Sequence, residues 1–219
     1  MDRNGIERVR AMADGGWGRE ARQVHSSAIG DRGSVVLPVT IRPARVDDLP
    51  KLEWFGLHTP HREILGNAFR MQERGTGAML LAELNDFPVG QVCVDFVRKR
   101  HLGRATLWAL RVFLPFRGLG LGARLMRAAE GVVAANGGSV AELGVDRDNA
   151  TVLPFYDQLG YVHCGTERGH FAYRTPDGTT VRVPIDQWLL HKRIAPTLPA
   201  HQSVRQPAVV ALAPSLAAE

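Results

Sequence analysis

Apolar positions along the chain fall into short alternating or continuous runs of strand length, separated by turn residues and by stretches with helical spacing. Val39 to Ala44 (VTIRPA), Met79 to Leu84 (MLLAEL), Gln91 to Val97 (QVCVDFV), Ala105 to Phe113 (ATLWALRVF) and Val140 to Val145 (VAELGV) read as strands. MLLAEL and QVCVDFV flank NDFPVG as a hairpin, and the basic loop RKRHLGR, 98 to 104, leads into the third of the central strands. HFAYR, TPDG, TTVRV and DQWLLHKRI, from His170 to Ile194, read as a hairpin with a closing strand. Helical spacing interrupts this series. Asp47 or Asp48 is placed to cap a helix whose first turn tolerates Pro50. Thr59 and Pro60 resemble an N-cap and first position before Ile64, Leu65, Ala68 and Phe69, with Gly75 as the stop. Leu125, Met126, Ala129, Val132 and Val133 form the apolar stripe of a helix that follows Gly122 and ends at Asn136, Gly137 and Gly138. FYDQLGY, 155 to 161, is the heart of a shorter one. The pattern predicts an α/β chain of α+β type with mostly antiparallel pairing and no internal repeat.

The 219 residues suit one domain. Residues 1–36 are polar and rich in Gly and Arg, and 195–219 mix Pro and Ala with almost no charge, so both are expected to be flexible extensions of a domain over 37–194. A 45% apolar and 22% charged composition is that of an ordinary globular protein. The net charge of +5 favours acidic ligands, but the basic residues are scattered apart from Arg98, Lys99, Arg100, His101 and Arg104, so nucleic acid is not expected as a partner. Cys93 and Cys164 sit in apolar, strand-like contexts and read as reduced core residues. No HisxxxHis or CysxxCys spacing suggests a metal, and no apolar run is long enough for a membrane span. The start MDRNGIERVRAMADGG lacks an apolar signal region, so a cytoplasmic protein is expected.

The chemistry concentrates in VFLPFRGLGLG, 112 to 122, where a strand meets a glycine turn and a helix start. Gly118, Gly120 and Gly122 let backbone approach a ligand, and the helix that begins there aims unpaired N–H groups and a positive dipole end at it, which suits a phosphate. Ala123 and Arg124 stand where a P-loop needs Lys and Ser or Thr, so that device is excluded. Gly118, Gly120 and Ala123 satisfy GxGxxA, and Glu142 follows at a tolerable distance for a ribose contact, as in a dinucleotide-binding oxidoreductase. Pro115, Phe116 and Arg117 interrupt the strand where that fingerprint runs straight, and too little chain follows Glu142 for a doubly wound sheet.

Arg117, Gly120 and Gly122 match the RxxGxG signature of the GNAT superfamily of N-acetyltransferases, in a VxPxYRGxGxG context. Asn149, Tyr156, Gly160 and Tyr161 match a second block, NxxAxxxYxxxGF, and IRPARVDDLPKL is similar to the usual opening strand and helix. The resemblance covers about residues 38–194. It implies a mixed sheet, flanked by helices, that splays open between the strand ending at Val112 and the strand VAELGV to hold acetyl-CoA. The pantetheine arm would pair with backbone near Leu110 and Val112, and the amides of Gly118, Leu119, Gly120, Leu121, Gly122 and Ala123 would cradle the pyrophosphate. Arg117 and Asn149 belong to the same cofactor-binding motifs, and Arg124 and Arg127 lie where an adenosine phosphate could approach. Trp54, His58 and His61 fall in the segment that walls the acceptor site in this family, and a homodimer would suit it. His163 and His170 border the last hairpin and are further candidates for the acceptor side.

The sequence departs from the motif at Leu114, with Pro115 one position late, at Val152 in place of Ala, and at Pro154, which fits if Thr151 rather than Asn149 is the N-cap. Members that acetylate peptide amines carry Glu just before the equivalent of Val145, where this chain has Gly144.

Transfer to a primary amine of a small molecule or peptide, by direct attack in a ternary complex, needs loss of an ammonium proton, a donor for the developing oxyanion and a proton for the departing thiolate. The Leu110 amide suits the second need. Tyr156, a phenol protonated at pH 7, suits the third as general acid. Alternation puts Glu142, Gly144 and Asp146 on one face, so Glu142 or Asp146 is a candidate base, alongside Glu83, Asp95 or a water chain. A non-catalytic CoA-binding module is the alternative that the missing Glu leaves open.

Overall fold

The structure, a computed structural model, describes residues 37–195, so the expected extension over 1–36 and all but the first residue of the 195–219 tail lie outside the described residues. Seven strands form one sheet in the order β1-β2-β3-β4-β5-β7-β6. They are β1 Thr40–Pro43, β2 Gly77–Leu84, β3 Phe87–Asp95, β4 Arg104–Val112, β5 Val140–Asp146, β6 Val162–Arg174 and β7 Thr180–Arg193. Among the described residues three α-helices accompany them: α1 Arg62–Glu73, α2 Leu121–Ala135 and α3 Leu153–Gln158. Every pairing is antiparallel except β4 with β5. This is the α/β architecture with mostly antiparallel pairing that the hydrophobic pattern predicts, and the parallel pair β4–β5 makes it the mixed sheet that the family resemblance implies.

Side-chain alternation splits the apolar residues of the strands between two layers. Leu80, Val92, Val94, Leu107, Leu143 and Val145 pack with Leu125, Met126, Ala129 and Val133 of α2, with Tyr156 of α3 partly buried against them. Met79, Leu81 and Cys93 point the other way, onto Leu65 and Ala68 of α1 and onto Leu52. Leu125 is fully buried, and a Cβ on Gly90 of β3 would stand 3.0 Å from its Cδ1. Leu125→Ala is therefore expected to cost about 3–5 kcal/mol, seen as a lower midpoint in urea unfolding.

Turn chemistry follows the sequence closely. Asn85 and Asp86 join β2 to β3 with φ of 49° and 58°, the doubly left-handed turn that short polar residues tolerate. The hairpin loop is thus tighter than NDFPVG, because Phe87, Pro88 and Val89 already belong to β3. At the end of α2, the amides of Gly137 and Gly138 donate to the Ala134 and Val133 carbonyls (3.0 and 2.9 Å).

Three expected helix starts are corrected. Asp48 does not begin an α-helix: Val46–Asp48 and Lys51–Glu53 are single 3₁₀ turns, followed by Trp54 and Phe55 in left-handed backbone and then Gly56. Asp48 is buried and accepts from both Arg42 Nη atoms (2.7 and 2.8 Å) and from the Arg45 amide (2.7 Å), which ties this turn to β1. Those bonds hold its carboxyl below the usual range, with the Arg42 contact the largest cause. Thr59 is not the N-cap of α1. Its hydroxyl donates to Glu53 (2.5 Å), Pro60 lies in a 3₁₀ turn, and α1 begins at Arg62 after His61. Neither Asn149 nor Thr151 caps α3. Val152 does, Asn149 is non-helical (φ −109°, ψ 36°), and Pro154 falls in the tolerated first turn.

Candidate active site

β4 and β5 are in register only from Arg104–Leu107 against Val140–Leu143. Beyond that seam the two strands part, and the sheet is held together on either side by β3 with β4 and by β5 with β7. A cavity of about 170 Å³ opens at the divergence, lined by Trp108, Ala109 and Leu110 of β4, by Gly144, Val145 and Asp146 of β5, and by Asn149, Val152 and Tyr156.

A bulge in β4 shapes one wall. Trp108 pairs with Cys93 and Arg111 with Gln91, so β4 holds one more residue than β3 across this interval. Ala109 absorbs it with φ of 52°, in the left-handed region. The Phe113 amide donates to Val89 O (2.9 Å) on the β3 side. By alternation the amides of Val112 and Leu110 then point away from β3, into the gap.

Past β4, a 3₁₀ turn at Leu114–Phe116 leads to the glycine turn. Gly118 and Gly120 have φ of 78° and 75°, and a Cβ on either would meet nothing within 4 Å. The need at these positions is backbone shape, and the space beside them is open. α2 starts at Leu121 with Gly120 as an N-cap that supplies no side-chain bond, and its first helical hydrogen bond runs from the Arg124 amide to Gly120 O (3.1 Å). The amides of Leu121, Gly122 and Ala123 are left as a convergent donor set at a positive helix end. A Cβ on Gly122 would lie 3.3 Å from Phe155, so this glycine lets α3 approach α2 closely. Open glycine backbone, unpaired helix amides and a split sheet edge together fit a diphosphate with an extended amide-bearing arm. Arg117 Nε is held on Val112 O (3.1 Å), and Arg124 donates to Val39 O (2.9 Å), while Arg127 is exposed.

Tyr156 lines the cavity from α3, with its ring edge-on to Phe155 (5.0 Å) and Tyr161 (6.0 Å). Burial pushes its phenol up to about 12, and its hydroxyl has no hydrogen-bond partner among the described residues. Asp146 is exposed at the cavity edge and accepts from Gln187 Nε2 of β7 (2.7 Å). Gln187 occupies the position that a side chain at 144 would take: a Cβ on Gly144 would come 2.1 Å from Gln187 Oε1. Gly144→Ala is therefore expected to swing Gln187 off Asp146 while changing stability by less than about 1 kcal/mol, since only the far end of a flexible side chain must move. Crystallography of the variant reads the first effect and urea unfolding the second.

Glu142, expected as a candidate base, does not line this cavity. It shares a face with Gly144 and Asp146, as alternation requires, but it sits in the closed part of the seam opposite Thr106, where it is fully buried. Its carboxylate is taken up by Lys99 and Arg104, and Lys99 also reaches Glu167 (3.2 Å). Burial raises its pKa and the two cations outweigh that, leaving it lowered, the wrong direction for a base at neutral pH. The basic loop is thus the counterion of one buried acid. Glu83 of β2 is bound by Arg42 of β1, and Asp95 accepts from the Val97 and Arg98 amides (2.7 and 2.9 Å), so neither stands in the gap.

On the face opposite α2, the rings of Phe113, Trp54, His58, His61 and Tyr173 follow one another at centroid distances of 5.1 to 5.8 Å. Tyr173 reaches this row from β6, and the Arg174 amide donates to Glu63 of α1. Trp54 is buried and donates through Nε1 to Pro88 O (2.8 Å), a packing role. Burial, then the charges of Arg111 and His61, hold the His58 imidazole down to about 4, so it is neutral at pH 7. An imidazole held this way stabilises the fold above pH 6.5 and loses that contribution as pH falls toward 4. His163 packs on Trp188 (5.3 Å) and His170 contacts Arg182 (2.7 Å), both exposed and away from this row. Sequence reasoning missed Arg111, Tyr173 and Gln187. A lone Arg inside the apolar run ATLWALRVF was the available signal for the first, and none existed for the other two.

Among the described residues no three His, Cys, Asp or Glu side chains cluster as metal ligands, and no helix is long and apolar enough to cross a membrane. Both cysteines are free thiols.

No curated protein sequence matches the chain. Solved structures do. The ribosomal-protein-S18-alanine N-acetyltransferase of Escherichia coli aligns at 19% identity over 74% of this chain and 97% of that one, with a TM-score of 0.53. A GNAT-family acetyltransferase of Streptococcus pneumoniae aligns at 21% identity over 72% and 99%, with a TM-score of 0.53. The PaiA N-acetyltransferase of Thermoplasma acidophilum, solved in complex with coenzyme A, aligns at 18% identity over 71% and 98%, with a TM-score of 0.50. These likenesses establish the fold. A sequence model described as the acetyltransferase (GNAT) family matches residues 44–161, the segment that carries the bulged strand, the glycine turn and Tyr156. This chain therefore belongs to the GNAT acetyltransferase family.

Proposed function

We propose that the protein moves an acetyl group from acetyl-CoA, the donor its family uses, to a primary amine of a small molecule or peptide by direct attack in a ternary complex. The observation that carries this reading is the cavity where β4 leaves β5, with gap-facing amides on one wall and the Tyr156 phenol on another. Acetyl-CoA supplies the thioester carbonyl and a thiolate leaving group.

The amides of Gly118 to Ala123 hold the diphosphate, and Val112 receives the extended arm. The Leu110 amide, turned into the gap beyond the Ala109 bulge, donates to the carbonyl oxygen as negative charge grows there. Asp146, oriented by Gln187, accepts the ammonium proton through a water before the nitrogen forms its bond to the carbonyl carbon. As the carbon–sulfur bond breaks, Tyr156 gives its proton to sulfur and recovers one from solvent. A phenol pushed to about 12 is fully protonated at pH 7, and the burial that raises it also raises the basicity of a thiolate formed beside it, which offsets the weaker acidity of the phenol. Asn149, at the mouth of the cavity, contacts the cofactor arm.

Titration calorimetry with acetyl-CoA, followed by assay of free CoA thiol over a panel of amines, tests the reading. Binding and turnover with at least one primary amine are expected. Stabilisation by a nicotinamide dinucleotide but not by acetyl-CoA would overturn it, and binding without turnover across the panel would favour a CoA-binding module. Gly120→Val is expected to weaken acetyl-CoA about 10-fold, since a branched residue at φ of 75° costs about 1–2 kcal/mol and distorts the amide cradle. Calorimetry of the variant checks this.

A further inference from the structure

The cationic side chains that are half-buried divide sharply by partner. Arg42, Lys99, Arg104, Arg147 and Lys192 each hold a carboxylate. Arg111, equally half-buried, holds none among the described residues and makes no side-chain hydrogen bond there. It pairs with Gln91 across the sheet and so shares the face of Trp108 and Cys93, toward the row of His58, His61 and Tyr173. The charge of its guanidinium acts on both histidines and on Cys93, whose thiol burial pushes up to about 12. A half-buried guanidinium with no anion beside it gives up part of its hydration without a counter-charge, a loss that a ligand anion offsets.

We propose that the acceptor is an amine that also bears a carboxylate, and that Arg111 binds this carboxylate beside His58, His61 and Tyr173. The inference rests on the acetyl-transfer reading above. It follows from the position of Arg111, one residue beyond the Leu110 amide and on the face of the sheet away from the α2 core. An acceptor anchored there by its carboxylate presents its amine toward the cavity mouth, where Asp146 lies. The charge balance selects a monoanion. His58 is neutral at pH 7, the Nδ1 atoms of His58 and His61 are buried without partners among the described residues, Arg117, whose charge also reaches His58, is held on Val112 O, and the one remaining guanidinium fork, that of Arg111, matches a planar carboxylate in two parallel bonds. A phosphate dianion would be left half-neutralised. The carboxylate can be that of a free amino acid or an acidic side chain near a peptide N-terminus.

The test compares amino acids with their methyl esters and decarboxylated amines, and peptides beginning with Asp or Glu with their Asn or Gln counterparts. Each is titrated calorimetrically into the protein saturated with CoA, and each is assayed for turnover. Carboxylate-bearing amines of one of the two sets are expected to bind and react about 10- to 100-fold better than their neutral partners. Arg111→Gln is expected to bring that ratio close to one, and Arg111→Lys to keep part of it, which separates loss of the fork from loss of the fold. Equal affinity for acid and ester, survival of the preference in Arg111→Gln, or preference for a phosphate-bearing amine would each overturn the inference. Calorimetry decides it without turnover, so absence of catalysis bears only on the acetyl-transfer reading.

Discussion

Tyr156→Phe is expected to lower kcat for acetyl transfer by about 10-fold or more while the affinity for acetyl-CoA stays within about twofold. The ring would keep its edge-on contacts with Phe155 and Tyr161, so packing is preserved and only the hydroxyl is lost. That hydroxyl has no other hydrogen-bond partner among the described residues, and removing it leaves no buried group unpaired. A thiolate that must leave without a proton is a poorer leaving group at the same binding cost, which separates kcat from affinity. The rise of the phenol to about 12 also means that titration of Tyr156 does not limit activity between pH 6 and 9. A loss of rate confined to pH near 10 in the wild type would argue for a different acid. Steady-state kinetics beside calorimetry of the variant gives both numbers, and an unchanged kcat would remove Tyr156 from the role.

Glu142→Gln is expected to be among the most destabilising single substitutions in the chain, for reasons unconnected with catalysis. The carboxylate is about 1% exposed, with Lys99 at 14% and Arg104 at 31%. Its removal strands two cations in a seam that little water reaches. Breaking a buried ion pair from one side costs about 3–5 kcal/mol, and the partial exposure of Arg104 and the second partner of Lys99, Glu167, set the lower end, about 3 kcal/mol. For a domain of this size that is a fall in Tm of about 6–12 °C. The pH dependence has a definite sign. The folded pKa of Glu142 lies below its unfolded value near 4.3, so its contribution is complete above that pH and is lost as pH falls through the folded value. Glu142→Gln should therefore flatten the acid limb of the stability curve. Thermal unfolding between pH 3 and 8, for both proteins, measures this.

The two cases show what could be read from the chain and what could not. The place of Tyr156 at the cavity was legible because its motif is local: Asn149, Tyr156 and Gly160 lie within one turn and one short helix. The glycine turn was legible for the same reason. Alternation correctly grouped Glu142 with Asp146, yet it could not say that the sheet is closed at one and open at the other. That difference depends on where β4 stops pairing with β5, a long-range event. The ion pairs of Glu142 join it to a loop some forty residues earlier, and Gln187 reaches Asp146 from the second strand of the last hairpin. No periodicity records either contact. The helix expected after Asp48 failed through a competing local interaction, since Arg42 draws that carboxylate into a buried pair and left-handed backbone at Trp54 and Phe55 halts the turn.

The extra residue at Ala109 changes which half of the protein each later residue of β4 serves. Leu107 faces the α2 layer, Trp108 and Ala109 both face the α1 layer, and Leu110 and Val112 return to the α2 layer with Arg111 opposite them. Were the same sequence to alternate regularly with no bulge, Ala109 and Arg111 would turn into the apolar layer beneath α2 while Leu110 faced the histidines. With the bulge, the backbone of Leu110 and Val112 turns to the gap and the side chain of Arg111 to the opposite face. On the reading proposed above, donor use and acceptor choice are written in separate alphabets on one strand, and exchanging residue 111 redirects acceptor choice without disturbing the handling of acetyl-CoA.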